Sequence, residues 1–146
     1  MVRSKLWAAQ DAFYALLGAS SGLSGADLFL GRPASDEGRD LVWINGEVDQ
    51  WSAEYQLSGL GAKNETFTLQ VRIRVARPGA TYTTSRDVCR AYGQAVEDVI
   101  ADNPTISGTV MLAQITNVRL EDTMVDERNR AVYLVIDVAC QAWLDT

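Results

Sequence analysis

Two periods divide the hydrophobic positions of this chain. From Ser4 to Leu17, the apolar residues Leu6, Ala9, Phe13, Leu16 and Leu17 recur at three- and four-residue steps, which predicts a helix with one buried face. Gly18 is placed to stop it, and Gly22 and Gly25 loosen the exit. The short run Ala26-Asp27-Leu28-Phe29-Leu30, closed by Gly31-Arg32-Pro33, suits a brief strand, and the polar residues 34–39 read as a loop. Asp40 to Asn45 combines branched and aromatic residues ahead of Asn45-Gly46, the signature of a strand meeting a tight turn.

Beyond it, residues 47–64 keep neither period. Val48, Trp51, Tyr55, Leu57 and Leu60 are scattered among glycines and charges, so this stretch reads as an extended arm or long hairpin. The clearest strand runs from Thr66 to Val75, where Phe67, Leu69, Val71, Ile73 and Val75 alternate with Thr66, Thr68, Gln70, Arg72 and Arg74. That alternation predicts one core face and one wet face.

A second helix starts near Thr84 and Asp87 and ends at Asn103-Pro104, with Val88, Tyr92, Ala95, Val96, Val99 and Ile100 along one stripe. Two more strands, Thr109 to Glu121 and Ala131 to Trp143, flank the charged turn Asp122 to Arg130 and should pair as an antiparallel hairpin. The phase slips between Leu112 and Ile115, which predicts a bulge or strong twist near Ala113. The elements together predict an α+β fold, an antiparallel sheet with two helices packed on one face and a protruding hairpin or arm. At 146 residues, one domain spanning 1–146 is expected.

Composition narrows the chemistry. Apolar residues are 47% and charged residues 22% of the chain, the balance of a folding globular protein and not of a disordered one. A formal net charge of −6 argues against grip on nucleic acid through its phosphates, although a surface that DNA merely passes tolerates it. The opening residues Met1-Val2-Arg3-Ser4-Lys5 lead into an amphipathic segment without the apolar core of a signal peptide, and no apolar run approaches the ~18 residues of a membrane span. A product made in a cytoplasm, soluble until it assembles and independent of membranes, is expected. Cys89 and Cys140 each sit in an apolar run, which predicts buried, reduced thiols.

No catalytic set can be assembled from these residue types. Gly18-Ala19-Ser20-Ser21-Gly22 matches the G-x-S-x-G pattern of a nucleophilic serine, but it follows a helix instead of a strand, and the chain has no histidine. The absence of histidine also removes the commonest general base and transition-metal ligand. Carboxylates remain: Glu97, Asp98 and Asp102 on the solvent side of the second helix, and Glu121, Asp122, Asp126 and Glu127 in the final turn, which lacks the alternating ligand spacing of a calcium loop. No enzymatic activity, cofactor or metal is expected. Arg72 and Arg74 on the wet side of the best strand, with Arg77 beyond it, are solvated charges, contacts to a neighbouring subunit or contacts to DNA, the last opposed by the overall charge. Trp51 and Tyr55, with Leu57 and Leu60, lie outside every periodic stripe and are interface candidates of the kind that anchor one chain on another, the alternative being an arm folded back to bury them in this same domain.

The order helix, short strands, long arm, alternating strand, helix and strand hairpin resembles the tail terminator family of long-tailed bacteriophages and their relatives among head-to-tail joining proteins. The resemblance is carried by the opening helix leading to Ala26-Asp27-Leu28-Phe29-Leu30-Gly31, by Val42-Trp43-Ile44, by Glu65-Thr66-Phe67-Thr68-Leu69-Gln70-Val71 with its arginine-rich continuation, and by Ile106 to Val110. It implies a non-enzymatic virion protein, six copies of which form a ring at the head-proximal end of the tail. Such a ring ends polymerisation of the tail tube protein, docks to the head connector and lets DNA pass its lumen without specific binding. A head-completion or stopper protein, a tail-tube subunit, a metal-dependent carboxylate enzyme and a protein-binding module remain as alternatives at this point.

Overall fold

The computed structural model describes residues 4–34, 40–45, 51–52, 63–77, 81–124 and 130–144. They form an α+β fold in which a mixed sheet carries two helices on one face. The strands are β1 (Asp27–Leu30), β2 (Leu41–Ile44), β3 (Trp51–Ser52), β4 (Lys63–Ala76), β5 (Leu112–Met124) and β6 (Arg130–Leu144), and the helices are α1 (Leu6–Gly18) and α2 (Tyr82–Asp102). Across the sheet the order is β1-β2-β4-β6-β5, with β3 also paired to β4. Among the described strands only β1 and β2 run parallel; the other pairs are antiparallel.

The central pair is β4 with β6, in register from Lys63 opposite Leu144 to Ala76 opposite Ala131. Because side chains alternate across a strand, this register puts Phe67, Leu69, Val71, Ile73 and Val75 beside Cys140, Val138, Ile136, Leu134 and Val132. These residues form one buried cluster with Leu6, Ala9, Phe13 and Leu17 of α1 and Cys89, Tyr92, Val96 and Val99 of α2. Leu16 and Val88 lie at its margin, partly buried. The core read from the periodicity is therefore the core of the fold.

Details at the ends of elements depart from the sequence reading. Helix α1 does end at Gly18, but without a left-handed glycine. Ala19 remains right-handed, its N–H donating to the Ala15 carbonyl while the Ser20 N–H donates to that of Leu17, and the chain passes into a 3-10 turn, Ser21–Leu23. Helix α2 begins one turn earlier than expected, because Thr81 and not Thr84 is its N-cap; the Thr81 hydroxyl accepts from the Thr84 N–H at 3.2 Å.

The bulge in β5 is displaced as well: the register with β6 shifts between Ile115 and Asn117, not at Ala113. Ala113 and Ile115 both keep the core-side phase, and the extra residue Thr116 then moves Val118 and Leu120 onto that same side. Within the stretch read as an extended arm or long hairpin, Trp51–Ser52 pairs antiparallel with β4 opposite Phe67 and Thr66, and Lys63 and Asn64 belong to β4. Residues 53–62 lie outside the described residues.

The connection from α2 to β5 holds a strained turn. Ile106 and Ser107 have positive φ, 44° and 55°, and Gly108 follows at 80°. For a branched residue such as Ile106 this is costly. Burial of its side chain, 0% exposed, offsets the cost, and Ile106 accepts at its carbonyl from both the N–H and the hydroxyl of Thr109.

Candidate functional site

The helix-free face of the sheet carries the even-numbered residues of β4 and the odd-numbered residues of β6. A row of polar side chains crosses it. Asn45, just past β2, donates to the Gln70 Oε1 at 3.4 Å; Arg72 Nε donates to the same oxygen at 3.0 Å; Gln70 Nε2 donates to Asp137 Oδ1 at 3.0 Å. Asn117 of β5 approaches Asp137 Oδ2 at 3.5 Å. Four segments of chain are thus tied by side chains across one surface, in addition to the backbone ladder. Each group in this row meets a complementary one, so the row stiffens the face and leaves no nucleophile and base poised for reaction.

This face is not the uniformly wet one that alternation predicted. Leu41, Trp43 and Val135 on it are buried, and Arg74 is only 7% exposed. The Arg74 Nε donates to the Tyr133 hydroxyl at 3.2 Å, the two residues being cross-strand partners. Arg74 is therefore corrected from a surface charge to a buried group engaged within its own sheet. Arg72 is half-buried and bonded to Gln70. Farther along, Thr66, Thr68, Leu112, Gln114, Ala139 and Gln141 line a depression of about 180 Å³. The small side chain of Ala139 is flanked by longer ones there, and the lining contains no carboxylate, amine or guanidinium.

The other interface candidates are placed less fully. Trp51 lies in β3, its backbone paired with Phe67; Tyr55, Leu57 and Leu60 lie outside the described residues. Of the carboxylates, Glu97, Asp98, Asp102 and Glu121 are exposed, and Asp98 accepts from the Gln94 side chain one turn back. Asp126 and Glu127 are outside the described residues. Among the described residues no three His, Cys, Asp or Glu side chains come together as a metal site, and no helix is long and apolar enough to cross a membrane. Cys89 and Cys140 are free and buried, and burial pushes both thiols up to about 12. Neither is a nucleophile at neutral pH.

One titratable cluster was not visible in the sequence. Asp40, at the start of β2, accepts from Tyr92 of α2 and from Arg77 beyond β4, each at 2.7 Å. It fastens α2 to the ends of β2 and β4. Equally unforeseen is a set of exposed apolar side chains: Trp7 and Tyr14 on α1, Leu30 on β1, Val118 and Leu120 on β5, and Trp143 near the end of β6. The signal for α1 was present, since LWAAQDAFYALLG holds a single charge, Asp11, and so has too few polar residues to cover its outer face.

No known family model matches the sequence, and no curated protein does. The fold is shared with a solved bacteriophage chain. The gp17 protein of bacteriophage SPP1 superposes with a TM-score of 0.51 at 16% identity, over 92% of this chain and 88% of that one. A chain in the virion of the native gene transfer agent (GTA) particle gives a TM-score of 0.47 at 14% identity, over 91% of this chain and 94% of its own. At such identities the likeness is one of fold.

Proposed function

We propose that this chain is a non-enzymatic structural subunit of a phage-type virion, and that it forms a ring closing the head-proximal end of a tail. In that position the ring, of six copies by the family resemblance, ends polymerisation of the tail tube protein and offers its other side to the head connector. The observation that carries the reading is the fold shared with bacteriophage SPP1 gp17 over nearly the whole of both chains. The layout of elements that resembles tail terminators agrees with it.

Physical considerations are compatible with the role. A contact between two different surfaces of one chain, repeated around a closed rotation, makes a ring. The net charge of −6 suits a lumen past which DNA slides without sticking. Trp51, Tyr55, Leu57, Leu60 and Arg72 are proposed to contribute to the contact between subunits; Arg74, engaged with Tyr133, would contribute through the sheet it stiffens.

Deleting the gene from the particle that encodes it tests the reading by electron microscopy. Unjoined heads, together with tails of uncontrolled length, are expected. Tails of normal length joined to heads would overturn the reading, and a purified chain that polymerises into long tubes would make it a tube subunit instead.

A further inference from the structure

Exposed apolar groups on the helix side of this molecule lie at opposite ends of the sheet. At one end is β5, a 13-residue edge strand that pairs only with β6 among the described residues. Its Val118 and Leu120 stand opposite Ile136 and Leu134, which are buried beneath α2, yet they are themselves 45% and 46% exposed because no helix covers that end. A long edge with apolar side chains invites another strand unless something blocks it. At the other end is β1, with α1 above it: Leu28 Cδ2 is 3.8 Å from where a Cβ on Gly18 would stand, and Gln10 Nε2 donates to the Asn45 carbonyl at 3.0 Å. The outer side of α1 leaves Trp7 62% and Tyr14 37% exposed.

We infer that these two ends are halves of one contact between copies of this chain: β5 of one copy pairs with β1 of the next, whose α1 then covers Val118 and Leu120. The inference rests on the ring reading above and names its interface. Direction permits it. Following the pairings across the sheet, β5 runs opposite to β1, so that a sheet continued from one copy to the next with its faces aligned joins them antiparallel. The β1 edge is available as well, since Asp27 and Gly31 donate their N–H groups to the β2 side and alternation leaves the backbone groups of Leu28 and Leu30 pointing outward.

Side chains agree with the same arrangement. The register that sets Leu28 beside Val118 on the helix side sets Asp27 beside Arg119 on the opposite face, bringing unlike charges together. A second copy is thus the occupant whose strand direction, apolar side chains and charge all complement this end. The contact uses two different surfaces, so it propagates, and closes only as a ring.

Leu120→Glu and Trp7→Glu, made separately, test the inference by sedimentation velocity, with circular dichroism to confirm the fold, both positions being exposed. Each variant is expected to lose rings, its subunit dissociation constant rising about 30-fold or more if the residue is an anchor. Mixed in equal amounts, the two should form dimers and stop there, because one intact half survives on each. As a second measurement that disturbs the fold less, oxidation of the double variant Trp7→Cys with Leu120→Cys should give a ladder of covalent oligomers on a non-reducing gel. Rings of unchanged stability in both glutamate variants, or a cysteine variant that stays uncrosslinked within assembled rings, would overturn this interface and leave the ring reading standing. A parent chain that remains monomeric at every concentration would overturn both.

Discussion

Asp40 shows how a single residue comes to matter through neighbours that are far away in the chain. Its side chain is 7% exposed, and burial alone would favour the neutral acid. The hydrogen bonds from Arg77 and Tyr92, with the charge of Arg77, outweigh that effect and hold the carboxyl below its ordinary value of 3.8. Tyr92 responds in the opposite sense, pushed up to about 12 by burial and by the carboxylate it donates to. A carboxyl whose folded pKa is depressed contributes stability above its unfolded value, and the contribution is lost as pH falls through the folded one. Asp40→Asn should therefore cost about 1 to 3 kcal/mol near neutral pH. It should also flatten the fall of melting temperature below about pH 4. Thermal melts across the acid range would check both, and an acid limb as steep as the parent's would show that Asp40 is not linked to folding.

Between elements, close approach is what decides. The 3-10 turn after α1 passes so near α2 that a Cβ on Gly22 would stand 2.7 Å from the Cβ of Ala95, a separation that forces backbone to move. Gly22 has no positive φ to relieve, so the cost of Gly22→Ala comes from contact and not conformation. It should be about 1 to 3 kcal/mol by chemical denaturation. Combining it with Ala95→Gly should recover most of that loss, apart from the weaker helix propensity of glycine, about 1 kcal/mol. If the double variant is no more stable than the single one, the two elements do not meet there. The bulge at Thr116 is a second feature of this scale: by shifting the phase of β5 it turns Val118 and Leu120 to the helix side, beyond the reach of either helix.

For the molecule as a whole, the issue is what its uncovered surfaces meet. Trp51 enters β3, while Tyr55 falls outside the described residues. If the ring reading holds, replacing both with serine should leave helix and strand content unchanged and weaken ring formation by about 2 kcal/mol or more per anchor. Light scattering and electron microscopy, at concentrations where the parent forms rings, would report it. Rings of unchanged stability would overturn the interface role of these aromatics, and loss of the fold would assign them to the chain's own core.

The sequence by itself determined the elements and the core. Strict alternation in Phe67 to Val75 and the three-and-four spacing in both helices leave only one way to bury those faces, and the buried cluster contains them. Tertiary structure alone decided how each face is used. Alternation says which residues share a side, not what lies over it, so Arg74 was read as solvated and is buried against Tyr133. The phase slip in β5 was visible, but only the pairing with β6 placed the extra residue at Thr116. Asp40, Arg77 and Tyr92 meet across 37 and 52 residues of chain, a proximity that no local pattern encodes because it arises only when the ends of β2 and β4 and helix α2 have packed.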